Sequence, residues 1–361
     1  MMKAWVLSGI NNIGFKEVDV PLPQPGEVLV KVKAAGICGS DIPRVYKTGA
    51  HKMPLIPGHE FSGEVTAIGK NASSAWMGKR VGIYPLIPCG ECAPCKSGHP
   101  ETCRDYDYLG SRRDGAFAEF VAVPEANLVE LPGNVSFIQA AMLEPMAVAV
   151  HAMRMGIGIS DRFLPLDARI AVCGLGSIGL LLTMFLKERG YRNIYVIGNK
   201  ESQKERAALF GITEENFYDS RNGDAVKWLM DRTGGADAFF ECVGKNECVI
   251  SGIESTVPGA RIVLVGNPYS DMSLDKTTYW KILRNQLMVM GSWNSTFYQG
   301  DYSYTGTDDW SYVIKSLKDK RIAPESLISH EMALDELEKG LLLMKEKRED
   351  YCKVMLITDG N

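Results

Sequence analysis

The sequence predicts an α/β protein: a β-rich, partly barrel-like region followed by a parallel sheet built from alternating strands and helices. Three observations carry this. Short β-like runs separated by Gly and Pro fill the chain up to about Pro145. A helix-and-strand alternation then begins at Arg169 and opens on a glycine-rich turn. After about Gly291 come two amphipathic helical segments and one last strand. With 361 residues, 45% of them hydrophobic, the chain suggests about two domains with substantial cores.

The early strands are read from EVLVKVKAAGI at Glu27, EFSGEVTAIG at Glu60, KRVGIYPLI at Lys79 and FAEFVAVP at Phe117. PMAVAVHAMRMGI from Pro145 changes to a helical pattern. Strands are expected at Arg169–Cys173, Ile194–Ile197, Ala238–Glu241 and Arg261–Val265, with ESQKERAALFG and DAVKWLMDRTG helical between them. The last helices are placed around Asp309–Lys320 and Leu334–Lys347, and the last strand at Cys352–Thr358. This gives expected segments of 1–150, 151–290 and 291–361.

Net charge is -4, so nothing points to nucleic acid or a membrane surface. No run of about eighteen apolar residues is present and the N-terminal stretch lacks a signal-peptide pattern, so a cytoplasmic protein is expected.

Cys89, Cys92, Cys95 and Cys103 form Cys-x2-Cys-x2-Cys-x7-Cys. Close Cys steps let one loop offer several thiolates to one cation, and Gly90, Pro94 and Gly98 permit its tight turns. Structural zinc is the expected occupant, with disulfides or an iron–sulfur cluster as competing readings. Four cysteine ligands leave no open position, so this cluster is scaffold. Cys173, Cys242, Cys248 and Cys352 fall in apolar or strand-like surroundings and read as small core residues.

A second constellation contains Cys38, His59 and a carboxylate, either Glu60 or Glu144, with Asp41 the weaker candidate. Cys plus His plus carboxylate suits a catalytic zinc with one open position. Two zinc ions per chain are therefore expected, one structural and one catalytic.

Gly174-Leu175-Gly176-Ser177-Ile178-Gly179 follows a predicted strand and opens a predicted helix. In that context the pattern brings a dinucleotide pyrophosphate onto backbone N–H groups at the helix N-terminus. The next strand ends in Gly198-Asn199-Lys200, where an acid would ordinarily accept from the adenosine ribose. An absent acid, room at Gly198, a donor at Asn199 and charge at Lys200 favour NADP, with NAD as the alternative. Tyr218 is a candidate to pack on the adenosine end or else a core tyrosine. Val265-Gly266-Asn267 is expected near the nicotinamide.

Taken together these motifs resemble the zinc-containing medium-chain, alcohol dehydrogenase-like family over essentially the whole chain. GHEFSGEVTAIG from Gly58 is similar to the family's zinc signature. GICGSDIPRVYKTGAH, YDYLGSRRDGAFAEF and KILRNQLMVMGSW resemble its polyol and polyol-phosphate branch. The resemblance implies a Rossmann coenzyme domain inserted into a GroES-like catalytic domain made from both chain ends, and a homodimer or homotetramer. It implies Cys38, His59 and Glu144 as catalytic zinc ligands, with Glu60 ligating in some states or lying beside the metal. It implies that Ser40 contacts the reacting oxygen and relays its proton outward, with His51 as a later member of the relay.

The expected substrate is a small polyol. Arg44, Lys47, Arg112 and Arg113 are candidates for a terminal phosphate, with a solvated basic face as the alternative, and Asn294 for the pocket lining. A dehydrogenase of another secondary alcohol, of threonine or butanediol type, is the second reading. A non-catalytic cofactor-binding relative is the third, and the presence of Cys38, Ser40, His59 and Glu144 argues against it.

Overall fold

A computed structural model describes residues 1–158, 163–298 and 308–358. The expected loop TFYQGDYSYTGTDD lies mostly outside these residues. The chain divides into two compact units, Met1–Pro145 with Thr296–Asn361, and Met146–Ser295.

The first unit is organised around the long strand Glu27–Ile37. Its β-branched first half packs into the core through Val28, Val30 and Val32, against Phe61, Phe117 and Val354. Its small second half, Ala34-Ala35-Gly36, lets neighbours approach closely. Glu60–Ile68 and Phe120–Pro124 pair with it antiparallel. So does the C-terminal strand Lys353–Ile357, with Val354 opposite Ile37 and Met355 opposite Gly36. This last pairing brings Lys353 beside Cys38, a neighbourhood that no local sequence pattern announces. Arg80–Ile83, Leu128–Glu130 and Ile328–Ala333 complete a seven-stranded sheet.

The second unit carries a six-stranded sheet in which every adjacent pair is parallel. The spatial order is Phe217–Asp219, Asn193–Gly198, Arg169–Cys173, Ala236–Glu241, Thr256–Leu264, Met288–Gly291. The first strand in sequence therefore lies inside the sheet, and the winding reverses between Arg169–Cys173 and Ala236–Glu241. Ligands of open parallel sheets bind at the carboxyl ends of the strands beside such a reversal. The doubly wound sheet and the β-rich first unit match the predicted fold class.

Boundaries differ from expectation by a few residues. The bridging helix runs Leu143–Ile157, and Thr256–Leu264 begins five residues before the expected strand. Among the described residues no helix is long and apolar enough to cross a membrane.

Candidate active site

In the cysteine lobe, a short helix Ala93–Lys96 and a single 3-10 turn Pro100–Thr102 fold the four thiols inward. Gly90 and Gly98 take φ of 74° and 81°, the left-handed turns that only glycine adopts without strain. The sulfurs of Cys92 and Cys95 are 3.5 Å apart, Cys92 and Cys103 3.7 Å, and Cys103 and Cys89 3.5 Å. A tetrahedron of thiolates about 2.3 Å from zinc has edges of about 3.8 Å, so the residues fit that ion. All four are free thiols, which removes the disulfide reading. Backbone N–H groups of Cys89 and Cys92 donate to Cys103 Sγ and Cys89 Sγ. Hydrogen bonds from the backbone pull the Cys92 thiol down to about 6, while burial pushes the Cys95 and Cys103 thiols up, a balance that a bound cation would turn toward thiolate.

Cys95→Ser is expected to remove one zinc per chain and to lower the melting temperature by several degrees. Structural zinc contributes folding free energy directly. Elemental analysis with thermal unfolding checks this; an unchanged melt with two zinc ions retained would contradict it.

The second constellation assembles from distant parts of the first unit. Cys38 follows the long strand, while His59 and Glu60 open the strand that pairs with it. Their donor atoms lie within 4.8 Å of one another. Asp41 organises them: wholly buried, its carboxylate accepts from Cys38 N at 3.0 Å and pairs with Arg44. Its Oδ1 also faces His59 Nδ1 at 3.7 Å. His59 Nδ1 is buried with no hydrogen-bond partner of its own. Metal-bound imidazoles turn their second nitrogen to a carboxylate in this way, which leaves Nε2 for a cation. Burial pushes the His59 imidazole down and so keeps it neutral, the form that ligates. Burial also pushes the Cys38 thiol up, with Asp41 adding to it, against Lys353 and a hydrogen bond from Ser40. A divalent cation would reverse that balance and hold the thiolate. This donor set fits zinc.

The two candidate carboxylates occupy different environments. Glu60 is 2% exposed and pairs with the ammonium of Lys353, itself 2% exposed. Lys353 Nζ also donates to Ile37 O at 3.2 Å, and burial pushes it down to about 8. A Cβ on Gly36 would come within 2.4 Å of Glu60 Oε2 and 2.7 Å of Lys353 Cε, so a larger residue there would have to displace this buried pair. Glu144 instead accepts from Tyr108 OH at 3.1 Å. Burial raises the Glu144 carboxyl while His59 acts to lower it. Ser40 precedes the short helix Asp41–Pro43, its hydroxyl bonded to Cys38, and His51 is exposed. Sequence reasoning missed Lys353 and set Asp41 aside; the signal for Asp41 was a lone acid three residues after a candidate ligand.

In the second unit, Gly174 has φ 96° and its N–H donates to Ile197 O at 2.9 Å. A Cβ on Gly179 would lie 1.9 Å from Gly174 O, so this glycine lets the helix Ser177–Glu188 close on the strand. Gly176 is exposed, and a Cβ on it would meet nothing within 4 Å. Leu175 is buried beneath the turn and Ile178 follows on the helix. The cradle fits a pyrophosphate. Gly198 ends its strand, with Asn199 exposed and Lys200 capping the next helix. Tyr218 stacks on Trp228 with ring centroids 5.0 Å apart, so one of its faces is already covered. Val265 and Gly266 are fixed by N–H bonds to Glu241 O at 2.8 and 3.0 Å. Glu241, also missed, is 1% exposed and its carboxylate accepts from Val243 and Gly244 N–H groups at 2.8 Å.

The basic residues are less alike than their sequence suggests. Arg44 is taken by Asp41. Arg113 pairs with Glu27 at 2.7 Å and faces Asp107 at 3.7 Å. Arg112 lies over the Tyr106 ring at 4.4 Å, and Lys47 is exposed. Asn294 follows the last strand of the second unit with φ 53°.

Comparison with known proteins agrees with this geometry. The alcohol dehydrogenase GroES-like domain matches residues 24–133, and zinc-binding dehydrogenase matches residues 177–315. Galactitol 1-phosphate 5-dehydrogenase of Escherichia coli is 31% identical over 304 residues, 84% of this chain and 85% of that protein. L-threonine 3-dehydrogenase of Yersinia pestis is 29% identical over 354 residues, 96% of this chain and 97% of that protein. The crystal structure of galactitol-1-phosphate dehydrogenase from Escherichia coli superposes with a TM-score of 0.87 at 29% identity, covering 99% of this chain and 100% of that one. A putative zinc-binding dehydrogenase from Sinorhizobium meliloti, bound to NADP, gives 0.86 at 27% identity, covering 99% of each chain. The chain belongs to the zinc-containing medium-chain alcohol dehydrogenase family, and it is an oxidoreductase of that family.

Proposed function

We propose that this protein is a zinc- and NADP-dependent dehydrogenase that oxidises a secondary hydroxyl of a polyol or polyol phosphate, of galactitol-1-phosphate or sorbitol type. The observation that carries the chemistry is the convergence of Cys38, His59 and Glu60 within ligating distance. Bound zinc supplies Lewis acidity to a substrate hydroxyl, and bound nicotinamide supplies a hydride acceptor. Cys38 and His59 hold the metal, with Glu60 or Glu144 as the carboxylate. Asp41 faces His59 Nδ1 and orients the ring, while burial keeps the imidazole neutral. Ser40 accepts the proton of the substrate hydroxyl and passes it outward, with His51 exposed as a later acceptor. The turn Gly174–Gly179 binds the pyrophosphate, and Val265 and Gly266 line the nicotinamide end. Gly198, Asn199 and Lys200 receive the adenosine 2′-phosphate, a reading supported by the NADP-bound Sinorhizobium relative.

No disulfide joins the nine cysteines among the described residues, in keeping with a reducing, cytoplasmic setting. The edge strand Met288–Gly291 leaves Met288 44% and Val289 39% exposed, and Trp280 and Leu283 are exposed on the helix before it. An apolar, unpaired sheet edge supports a homodimer or homotetramer.

The test is a turnover screen of sugar alcohols, their 1-phosphates, threonine and butanediol with NADP and NAD. Polyols with NADP are the expected best combination; threonine or butanediol as the best substrate, or NAD as the better coenzyme, would overturn the corresponding part. Because Asp41 and Glu27 occupy Arg44 and Arg113, the terminal phosphate is left to Arg112 and Lys47. Arg112→Ala is expected to lower kcat/KM for the phosphorylated polyol about tenfold or more, since a charge-assisted contact is worth about 1.5–3 kcal/mol. Equal efficiency with free and phosphorylated polyols in the wild type would remove the phosphate.

A further inference from the structure

The strand end that lacks an acid has one beside it. In the parallel pair Asn193–Gly198 and Phe217–Asp219, Gly198 is the register partner of Asp219. Adjacent strands lie about 4.8 Å apart, so Asp219 stands at the same carboxyl edge of the sheet where a ribose acceptor is ordinarily found one strand over. Left alone, that carboxylate would repel a 2′-phosphate. It is not left alone. Arg221 N–H donates to Asp219 Oδ1 at 3.0 Å, Nε to Oδ1 at 2.9 Å and Oδ2 at 3.1 Å, and Nη2 to Oδ2 at 2.5 Å. Through Asp219, the register partner of Gly198, the Arg221 charge is held at this same strand edge.

We infer that Arg221 is the residue that discriminates between a phosphorylated and an unphosphorylated adenosine ribose, by cancelling the charge of Asp219 and presenting its remaining donors to the 2′-phosphate. The inference rests on the coenzyme reading above. Guanidinium has five N–H donors in a planar fork. Asp219 takes the Nε and Nη2 edge, so Nη1 and the outer Nη2 hydrogen remain, and the side chain is 63% exposed. A dianionic phosphate then meets two cations, Lys200 and Arg221, with the Asp219 carboxylate already paired. An unphosphorylated ribose gains nothing from this arrangement.

The experiment measures dissociation constants of NADPH and NADH by fluorescence titration of the purified protein. Arg221→Ala both removes a donor and unmasks Asp219, so it is expected to weaken NADPH by about tenfold to a hundredfold while changing NADH little. Arg221→Lys is expected to restore part of the loss. Asp219→Asn keeps an amide oxygen for the turn and frees the guanidinium, so it is expected to tighten NADPH relative to NADH. A purely structural role would weaken both coenzymes alike, and that outcome, or an unmoved ratio, overturns the inference. A wild type that binds NADH more tightly overturns the coenzyme assignment instead, whereas a wild type that prefers NADPH with the ratio unmoved in Arg221→Ala overturns only the role of Arg221.

Discussion

His59→Ala is expected to leave a folded protein whose kcat has fallen by about a thousandfold or more. Its Nδ1 faces Asp41 at 3.7 Å, and a ring nitrogen lies within 4.8 Å of the Cys38 and Glu60 donor atoms, close enough to share a cation with them. Removing it leaves too few ligands for a catalytic ion, and Lewis-acid polarisation of the hydroxyl is worth several kcal/mol, each 1.36 kcal/mol being tenfold in rate. The four-cysteine lobe is a separate cluster, so metal content should fall from two zinc ions to one, with the melt close to that of the wild type. This pairing of readouts separates a catalytic from a structural role. Turnover retained within tenfold of wild type, or loss of both metals together, would show that the centre has been misplaced.

What was legible in the sequence was what short spacing encodes. The cysteine lobe and the Gly174–Gly179 turn each lie within one loop, so their residue types and intervals already imply a chelate and a phosphate cradle. The fold followed because the period changes from alternating strands to strand and helix at Arg169. The polar environment of the ligands was not legible. Lys353 reaches Glu60 across 293 residues, through a strand pairing that only the assembled sheet creates. Arg113 looked like a phosphate binder because Glu27, its partner, is 86 residues away. Tyr218 gave no sign that Trp228 would cover one of its faces, and Asp219 no sign that register would set it beside Gly198. Charges on a loop announce themselves in sequence, but their counter-charges are chosen by topology.

Lys353→Met is expected to destabilise the protein by about 3–5 kcal/mol, the usual consequence of stranding one member of a buried ion pair. Both side chains are almost wholly buried, and Lys353 Nζ also donates to Ile37 O at 3.2 Å. With the catalytic metal removed, Glu60 would then hold an uncompensated charge at a buried position. The opposite outcome is expected of the double variant. Glu60→Gln with Lys353→Met removes both charges at once, so the double variant should recover most of the loss, because replacing a whole buried pair by neutral groups is often close to neutral in stability. Denaturant midpoints of the wild type, both single variants and the double variant form the cycle. A double variant as unstable as the sum of the singles would mean that Lys353 acts through packing, not through the Glu60 carboxylate. Recovery of stability would tie it to that charge. Turnover in the same four proteins then shows whether Glu60 must remain a carboxylate beside Cys38 and His59, a question that stability alone does not reach.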